Sequence, residues 1–361
     1  MSFCDLALDC VTQLQPYVPG KPIEELEREL GISDIVKLAS NENPLGPSEK
    51  VLSAISEASK ELSRYPDGNG FTLKSALAEK YKLNTAQITL GNGSNDVLEL
   101  IARAFVSPDE EVMFSQHAFA VYPLVTQAIG ATSIIAPARD YGHDLQAMST
   151  LISEKTKLIF IANPNNPTGT YLPINELEAF ISQVPESTLI VLDEAYVEYG
   201  DQDVDSISLL QQYPNLIITR TFSKAYGLAG LRVGYALSHP EVADILNRIR
   251  QPFNVNSLAL AAAKVALTDD EYIVRTKQLN DAGMSQLISG LDALGLTAIP
   301  SKGNFITVDV KQNGEKVFAE LLKQGVIVRP VTNYGLPKHI RVSIGLENEN
   351  QRFLDALGKI V

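Results

Sequence analysis

A lysine surrounded by hydroxyls, glycines and an arginine is the strongest chemical signal in this chain: Thr221, Ser223, Lys224, Gly227, Gly230 and Arg232 lie close together within residues 219–235. An amine is a nucleophile only when unprotonated, and a free lysine, with a pKa of ~10.4, is almost wholly charged at neutral pH. Burial and a nearby cation both disfavour the ammonium form, and Arg232 supplies a fixed guanidinium that could also hold a phosphate. Thr221 and Ser223 add hydroxyl donors for the same anion. A Ser-Lys pair taken alone reads as a loop-end lysine in a surface ion pair. The extended stretch favours a reactive amine.

Four further segments carry groups suited to the same centre. Gly91, Asn92, Gly93, Ser94, Asn95 and Asp96 form a glycine-rich turn leading into an apolar-periodic run. Such a turn either caps a helix or offers its unpaired N–H groups to an anion. Asn163 to Gly169 is a loop stiffened by two prolines, so that a side chain such as Asn166 is aimed accurately, although a plain turn has the same composition. Asp193 follows an apolar run, where a carboxylate is costly unless it caps a helix or meets a cation, and Tyr196 stands three residues on. Arg329 and Arg341 lie in apolar surroundings; each is either half of an ion pair or a planar guanidinium able to grip a carboxylate or phosphate through two parallel bonds.

The elements that must position these groups follow from hydrophobic periodicity. Residues 88–90, 157–162, 189–192 and 216–218 are short, apolar and rich in branched side chains, as strands covered on both faces would be. Each precedes one of the segments above, and open α/β sheets place ligands beyond the C-terminal ends of their strands. Helices are expected over 97–105, 240–250 and 257–267, with a strand at 232–236 and a long amphipathic helix at 272–294. The alternation then changes to strand 304–310, helix 314–324, strands 326–331 and 339–344, and helix 347–360, which makes a small α+β unit. At the other end, Phe3, Leu6, Cys10 and Leu14 fall near helical spacing until Pro16; a proline-rich turn and a helix over 23–30 follow.

Taken in order, these motifs resemble the signature of fold-type I pyridoxal-phosphate aminotransferases, and within that superfamily the chain is most similar to the histidinol-phosphate aminotransferases over nearly its whole length. The resemblance implies an α/β fold with a mostly parallel seven-stranded sheet in a large domain, 41–265, and a small α+β domain built from 1–40 and 266–361. It implies pyridoxal 5'-phosphate as cofactor, joined covalently to Lys224. Gly93, Ser94, Asn95, Thr221, Ser223 and Arg232 would hold its phosphate, and Asn166 and Tyr196 its phenolic oxygen. Asp193 would pair with its ring nitrogen. Phe119 stands where relatives carry the tyrosine that stacks on the ring, so stacking is kept and a hydroxyl is lost. His117, nearby, reads as a loop residue rather than a catalyst. Tyr65 matches a tyrosine that crosses a homodimer interface to the partner's cofactor phosphate. Tyr17, Asn43, Leu45, Asn304, Arg329 and Arg341 match substrate-side positions. The implied reaction moves an amino group between L-glutamate and imidazole acetol phosphate, giving L-histidinol phosphate and 2-oxoglutarate.

Composition narrows the alternatives. With 43 acidic and 30 basic residues the formal charge is −13, which opposes non-specific nucleic-acid binding. No basic leader or membrane-length apolar run is present, so a cytoplasmic protein is expected. The four histidines show no metal-binding spacing, and Cys4 and Cys10, the two cysteines, suit buried thiols better than a disulfide framework. The competing readings are an aromatic-amino-acid aminotransferase, a pyridoxal-phosphate decarboxylase and a non-catalytic pyridoxal-phosphate sensor. They share the cofactor apparatus and differ in what surrounds it.

Overall fold

The computed structural model describes residues 3–16, 20–200 and 206–361. Seven strands form the central sheet: β1 (Ile88–Gly91), β2 (Glu111–Ser115), β3 (Thr132–Ala136), β4 (Thr156–Ala162), β5 (Leu189–Asp193), β6 (Leu216–Thr221) and β7 (Gly234–Leu237). Their spatial order is β1-β7-β6-β5-β4-β2-β3. Only β7 runs against its neighbours, pairing antiparallel with both β1 and β6, whereas every other pair is parallel. The expected fold is therefore the observed one.

Both faces of this sheet are covered, and the period of two along each strand sorts side chains between them. Ile190 and Leu192 of β5 join one apolar cluster with Ile161, Ile218 and Tyr235, while Val191 points to the other with Phe160, Ile217 and Tyr122. Continuing the alternation, Asp193 lies on the Val191 side and Glu194 on the opposite one. The register pairs Asp193 with Ala162 of β4 and Thr219 of β6, which brings the C-terminal ends of β4 and β5 level, with β6 running two residues further. The helix Ser94–Phe105 packs beside them with Val97, Leu98, Leu100, Ile101 and Ala102 buried, and leaves Glu99 and Arg103 exposed in a 3.6 Å ion pair. Burial of each large side chain on that face contributes ~1.5–3 kcal/mol, so the apolar stripe rather than the ion pair holds the helix.

A second sheet, smaller and antiparallel, is built from β8 (Thr297–Ile299), β9 (Phe305–Asp309), β10 (Arg329–Pro330) and β11 (His339–Ser343) in the order β8-β9-β11-β10. Its core takes Leu287 and Leu291 from the helix Asp270–Ala293, Phe353 and Leu357 from Glu347–Leu357, and Val36 and Leu38 from near the chain start. Val36–Lys37 pairs in parallel with Val326–Ile327.

Three local expectations need correction. The single helix expected before Pro16 is a 3-10 turn, Phe3–Leu6, and a separate short helix, Asp9–Thr12, with no buried residue in either. Because this segment lies on the surface, Cys4 is exposed and Cys10 half-buried, its thiol 3.8 Å from the Ala128 carbonyl; the buried thiols expected there are not found. The strand expected over 326–331 is two pieces serving different pairings. Edge strand β3 went unread because Thr132, Ser133 and Ile135 are exposed, so its sequence lacks the continuous apolar run of its neighbours.

Candidate active site

Lys224 follows β6 by three residues, in the turn that leads towards β7. Its amine donates to the Ser40 carbonyl at 3.0 Å and lies 5.8 Å from the centre of the Tyr196 ring. The side chain lines a cleft of about 200 Å³ together with Asn95, Phe119, Asn166, Asp193 and Arg341. Removal from water, then the charges of Arg341 and Arg232 working against Glu42, bring its pKa down to about 7. The amine is therefore poised between its two protonation states at neutral pH.

One end of the cleft is shaped for an anion. Gly93 caps the Ser94–Phe105 helix with φ 83°, and a side-chain carbon there would stand 2.5 Å from Arg232 Nη2. Across from it, a side-chain carbon on Gly234 would meet the Ser94 amide at 2.4 Å, so close backbone approach requires glycine there, as the positive φ does at Gly93. Arg232 sits in the left-handed region with φ 55° and donates to Ser223 Oγ at 3.3 Å, while Thr221 Oγ1 accepts from the Ser223 amide at 3.1 Å. Helix N-terminus, hydroxyls and guanidinium converge, which is the set of donors a phosphate takes.

Asp193 stands deeper, and it is buried. Tyr122 Oη donates to its Oδ2 at 2.8 Å and Thr219 Oγ1 to its Oδ1 at 3.0 Å. Loss of water still raises its pKa to about 6, with Glu194 adding to the rise and both hydroxyls opposing it. The carboxyl is still mostly ionised at pH 7, and a cation in the cleft would lower its pKa again, so the site fits a protonated ring nitrogen. On the other face of the sheet, Glu194 meets its own partner, Arg220 of β6, at 2.7 Å.

The remaining wall is a relay of amides. Asn41 and Asn166 donate to the Tyr196 hydroxyl at 3.0 and 3.2 Å, and burial lifts that phenol to about 12, so it keeps its proton for an acceptor in the cleft. Arg341 of β11 donates to Asn166 Oδ1 at 2.6 Å and to the Ala39 carbonyl at 2.8 Å, and its buried Nε has no partner. Arg329 is the cross-strand neighbour of Arg341 and also lines the cleft. The structure thus gathers Ser94, Asn95, Phe119, Asn166, Asp193, Tyr196, Thr221, Ser223, Lys224, Arg232, Arg329 and Arg341 into one cleft, with Gly93 against Arg232.

Other expected residues lie elsewhere. The Asn43 amide donates to the Ala225 carbonyl, Tyr272 and Thr276, and its Oδ1 accepts from the Leu45 amide, so it fastens its own loop to the core instead of lining the cleft. Leu45 packs against the main apolar cluster. Asn304 donates to the Asn41 and Glu42 carbonyls, one layer behind the wall. Tyr65 is 82% exposed and stacked on Phe253, outside its own chain's cleft. Tyr17 lies outside the described residues. His117 contacts the Tyr334 carbonyl at 2.7 Å, as a loop residue would.

Several participants were not anticipated from sequence. Ser40 and Ala39 act through backbone carbonyls, which no side-chain pattern can announce. Thr219 becomes visible only once β5 and β6 are paired in register. Tyr122 carried a signal, one helical turn after Phe119, but its contact with Asp193 depends on the tertiary fold.

Comparison with known proteins places this geometry among relatives. The family model described as aminotransferase class I and II matches residues 33–357. A Pseudomonas fluorescens (strain Pf0-1) protein named histidinol-phosphate aminotransferase 2 is 60% identical, covering 100% of this chain and 98% of that protein. A histidinol-phosphate aminotransferase 1 of Idiomarina loihiensis is 59% identical over 97% of this chain and 96% of its own length. The crystal structure of histidinol-phosphate aminotransferase from Sinorhizobium meliloti in complex with pyridoxal-5'-phosphate superposes with a TM-score of 0.91 at 31% identity, covering 98% of this chain and 96% of that one.

Proposed function

The chain belongs to the class I and II aminotransferase family, and from that membership we propose that it transfers an amino group between L-glutamate and imidazole acetol phosphate, yielding L-histidinol phosphate and 2-oxoglutarate in histidine biosynthesis. The carrying observation is that one cleft has an anion cradle at Arg232 and a second guanidinium at Arg341, and Lys224 feels both charges. That layout suits a phosphate-bearing cofactor at one end and an anionic substrate at the other. Relatives named for histidinol phosphate, matching over the full length, narrow the substrate.

Pyridoxal 5'-phosphate, when bound, supplies an aldehyde for an amine and a ring that accepts electrons from the substrate's Cα. Lys224, with about half its amines unprotonated at neutral pH, would be the residue joined to that aldehyde, and its Nζ would hold or release the proton the reaction moves. Asp193 holds positive charge on the ring nitrogen, and Tyr196 with Asn166 faces the phenolic oxygen. Gly93, Ser94, Asn95, Thr221, Ser223 and Arg232 anchor the phosphate, and Phe119 covers the ring. Arg341, whose Nε has a bond to give, takes the carboxylate of glutamate and the phosphate of histidinol phosphate in turn, with Arg329 beside it. Because both substrates present an anion to the same arginine, the pocket's shape must tell them apart.

We further propose a homodimer in which the exposed Tyr65 reaches the partner's cofactor phosphate, a large unit of about 41–265 with a small unit from both chain ends, and a cytoplasmic location. No described helix is long and apolar enough to cross a membrane. The assay that tests the substrate compares histidinol phosphate, phenylalanine and tyrosine as donors to 2-oxoglutarate. Histidinol phosphate should give the highest kcat/KM, and a clear preference for phenylalanine would replace it with the aromatic reading. Lys224→Ala should also abolish the visible absorption of the purified protein.

A further inference from the structure

Asp193 receives two hydroxyl donors, one on each carboxylate oxygen, and the functions assigned so far use neither. Tyr122 is fully buried on the helix Val121–Ala128. Its ring stacks on Phe160 of β4 at 4.5 Å and 3°, and meets the cleft residue Phe119 edge-on at 5.8 Å and 86°. Held by two rings, the phenol has a single place for its hydroxyl, which is 2.8 Å from Asp193 Oδ2. Thr219 approaches Oδ1 from the neighbouring strand at 3.0 Å. An ionised carboxylate offers about four lone-pair sites, two per oxygen, so this pair of donors occupies half of them and leaves the others for a ligand.

Resting on the cofactor reading above, we propose that Tyr122 is a positioning residue: with Thr219 it fixes the Asp193 carboxylate in one orientation, and in its ionised form, to receive a protonated ring nitrogen. The same turn of chain then carries both the ring that covers the cofactor, Phe119, and the hydroxyl that orients its counter-charge. A purely structural role for Tyr122, filling the core with its hydroxyl satisfied by whatever acceptor is nearest, makes a different prediction. Its loss would weaken binding of every cofactor analogue alike. A role through Asp193 weakens only those with a ring nitrogen to hold.

The test uses cofactor-free protein and two probes, pyridoxal phosphate and its analogue with the ring nitrogen replaced by CH, measured by equilibrium binding. The native protein should prefer pyridoxal phosphate. Tyr122→Phe keeps the stacked ring and should shrink that preference by about tenfold, the effect of one charge-assisted hydrogen bond. Thr219→Val should act in the same direction, and carries the test alone if the first variant fails to fold. Equal weakening of both probes, or an unchanged preference, in whichever variant folds would overturn the proposal. Asp193→Asn separates the two levels. If it erases the preference while Tyr122→Phe does not, only the positioning role falls; if Asp193→Asn leaves the preference intact, or the native protein has none, the ring-nitrogen reading falls with it.

Discussion

In the cofactor-free protein Lys224 should titrate near neutrality, and the structure says which neighbours set the value. Its folded pKa of about 7 lies well below the ordinary 10.5. At pH 7 a free lysine is neutral in about one molecule in a few thousand, whereas Lys224 would be neutral in roughly half, a gain on the order of a thousandfold in reactive amine. The assay is competitive labelling with trace acetic anhydride across pH, reading the Lys224 peptide against surface lysines by mass spectrometry. Arg341→Gln and Arg232→Gln should each move the midpoint up, the former more, and Glu42→Gln should move it down. The stability of the apoprotein follows from the same shift. Between about pH 7 and 10.5 the unfolded chain binds a proton that the folded one does not, so this group makes stability rise with pH across that window. At ~1.4 kcal/mol per pKa unit, a shift of that size makes the rise on the order of 5 kcal/mol across the window. Lys224→Met should remove that rise. A labelling midpoint above 9, or one indifferent to Arg341, would refute the argument that burial and guanidinium charge hold the amine neutral.

Three more outcomes follow from the geometry. Gly93→Ala should lower cofactor affinity by at least about tenfold in equilibrium dialysis, because the new carbon meets Arg232 Nη2 at 2.5 Å on a backbone with φ 83°. Arg341→Lys should reduce kcat/KM by about a hundredfold for glutamate and histidinol phosphate alike, since an ammonium cannot hold Asn166, the Ala39 carbonyl and an anion in one plane. Asn43→Ala should lower the melting temperature, through a loss of about 2 kcal/mol or more, while substrate KM stays unchanged, because its partners are Ala225, Tyr272 and Thr276.

What the chain announces and what it hides divide along physical lines. Strands β4, β5 and β6 are legible because burial on both faces demands unbroken apolar runs, and their ends carry Asn166, Asp193 and Lys224 shortly after. Edge strand β3 escapes notice because exposure relaxes that demand. Asn43 illustrates a subtler gap: Ala39, Ser40 and Asn41 just before it line the site, yet its own amide is consumed by tertiary contacts that only folding creates. Ser40 and Ala39 serve through main-chain oxygens, where residue type is silent. Tyr122 and Thr219 matter through distance to Asp193, and distance across a sheet is fixed by register rather than by spacing along the chain.

The pairing of Val36–Lys37 with Val326–Ile327 has a consequence for how the enzyme is made. The Leu38 carbonyl accepts from Ser343, and the stretch just beyond it supplies the oxygens that Arg341 and Lys224 bind. On the ribosome the first of these segments must wait, unpartnered, until the second, about 290 residues further along, has been added. Closing so long a loop is slow. A nascent chain stalled before residue 326 should therefore carry a folded central sheet and still be unable to hold its reactive amine in place.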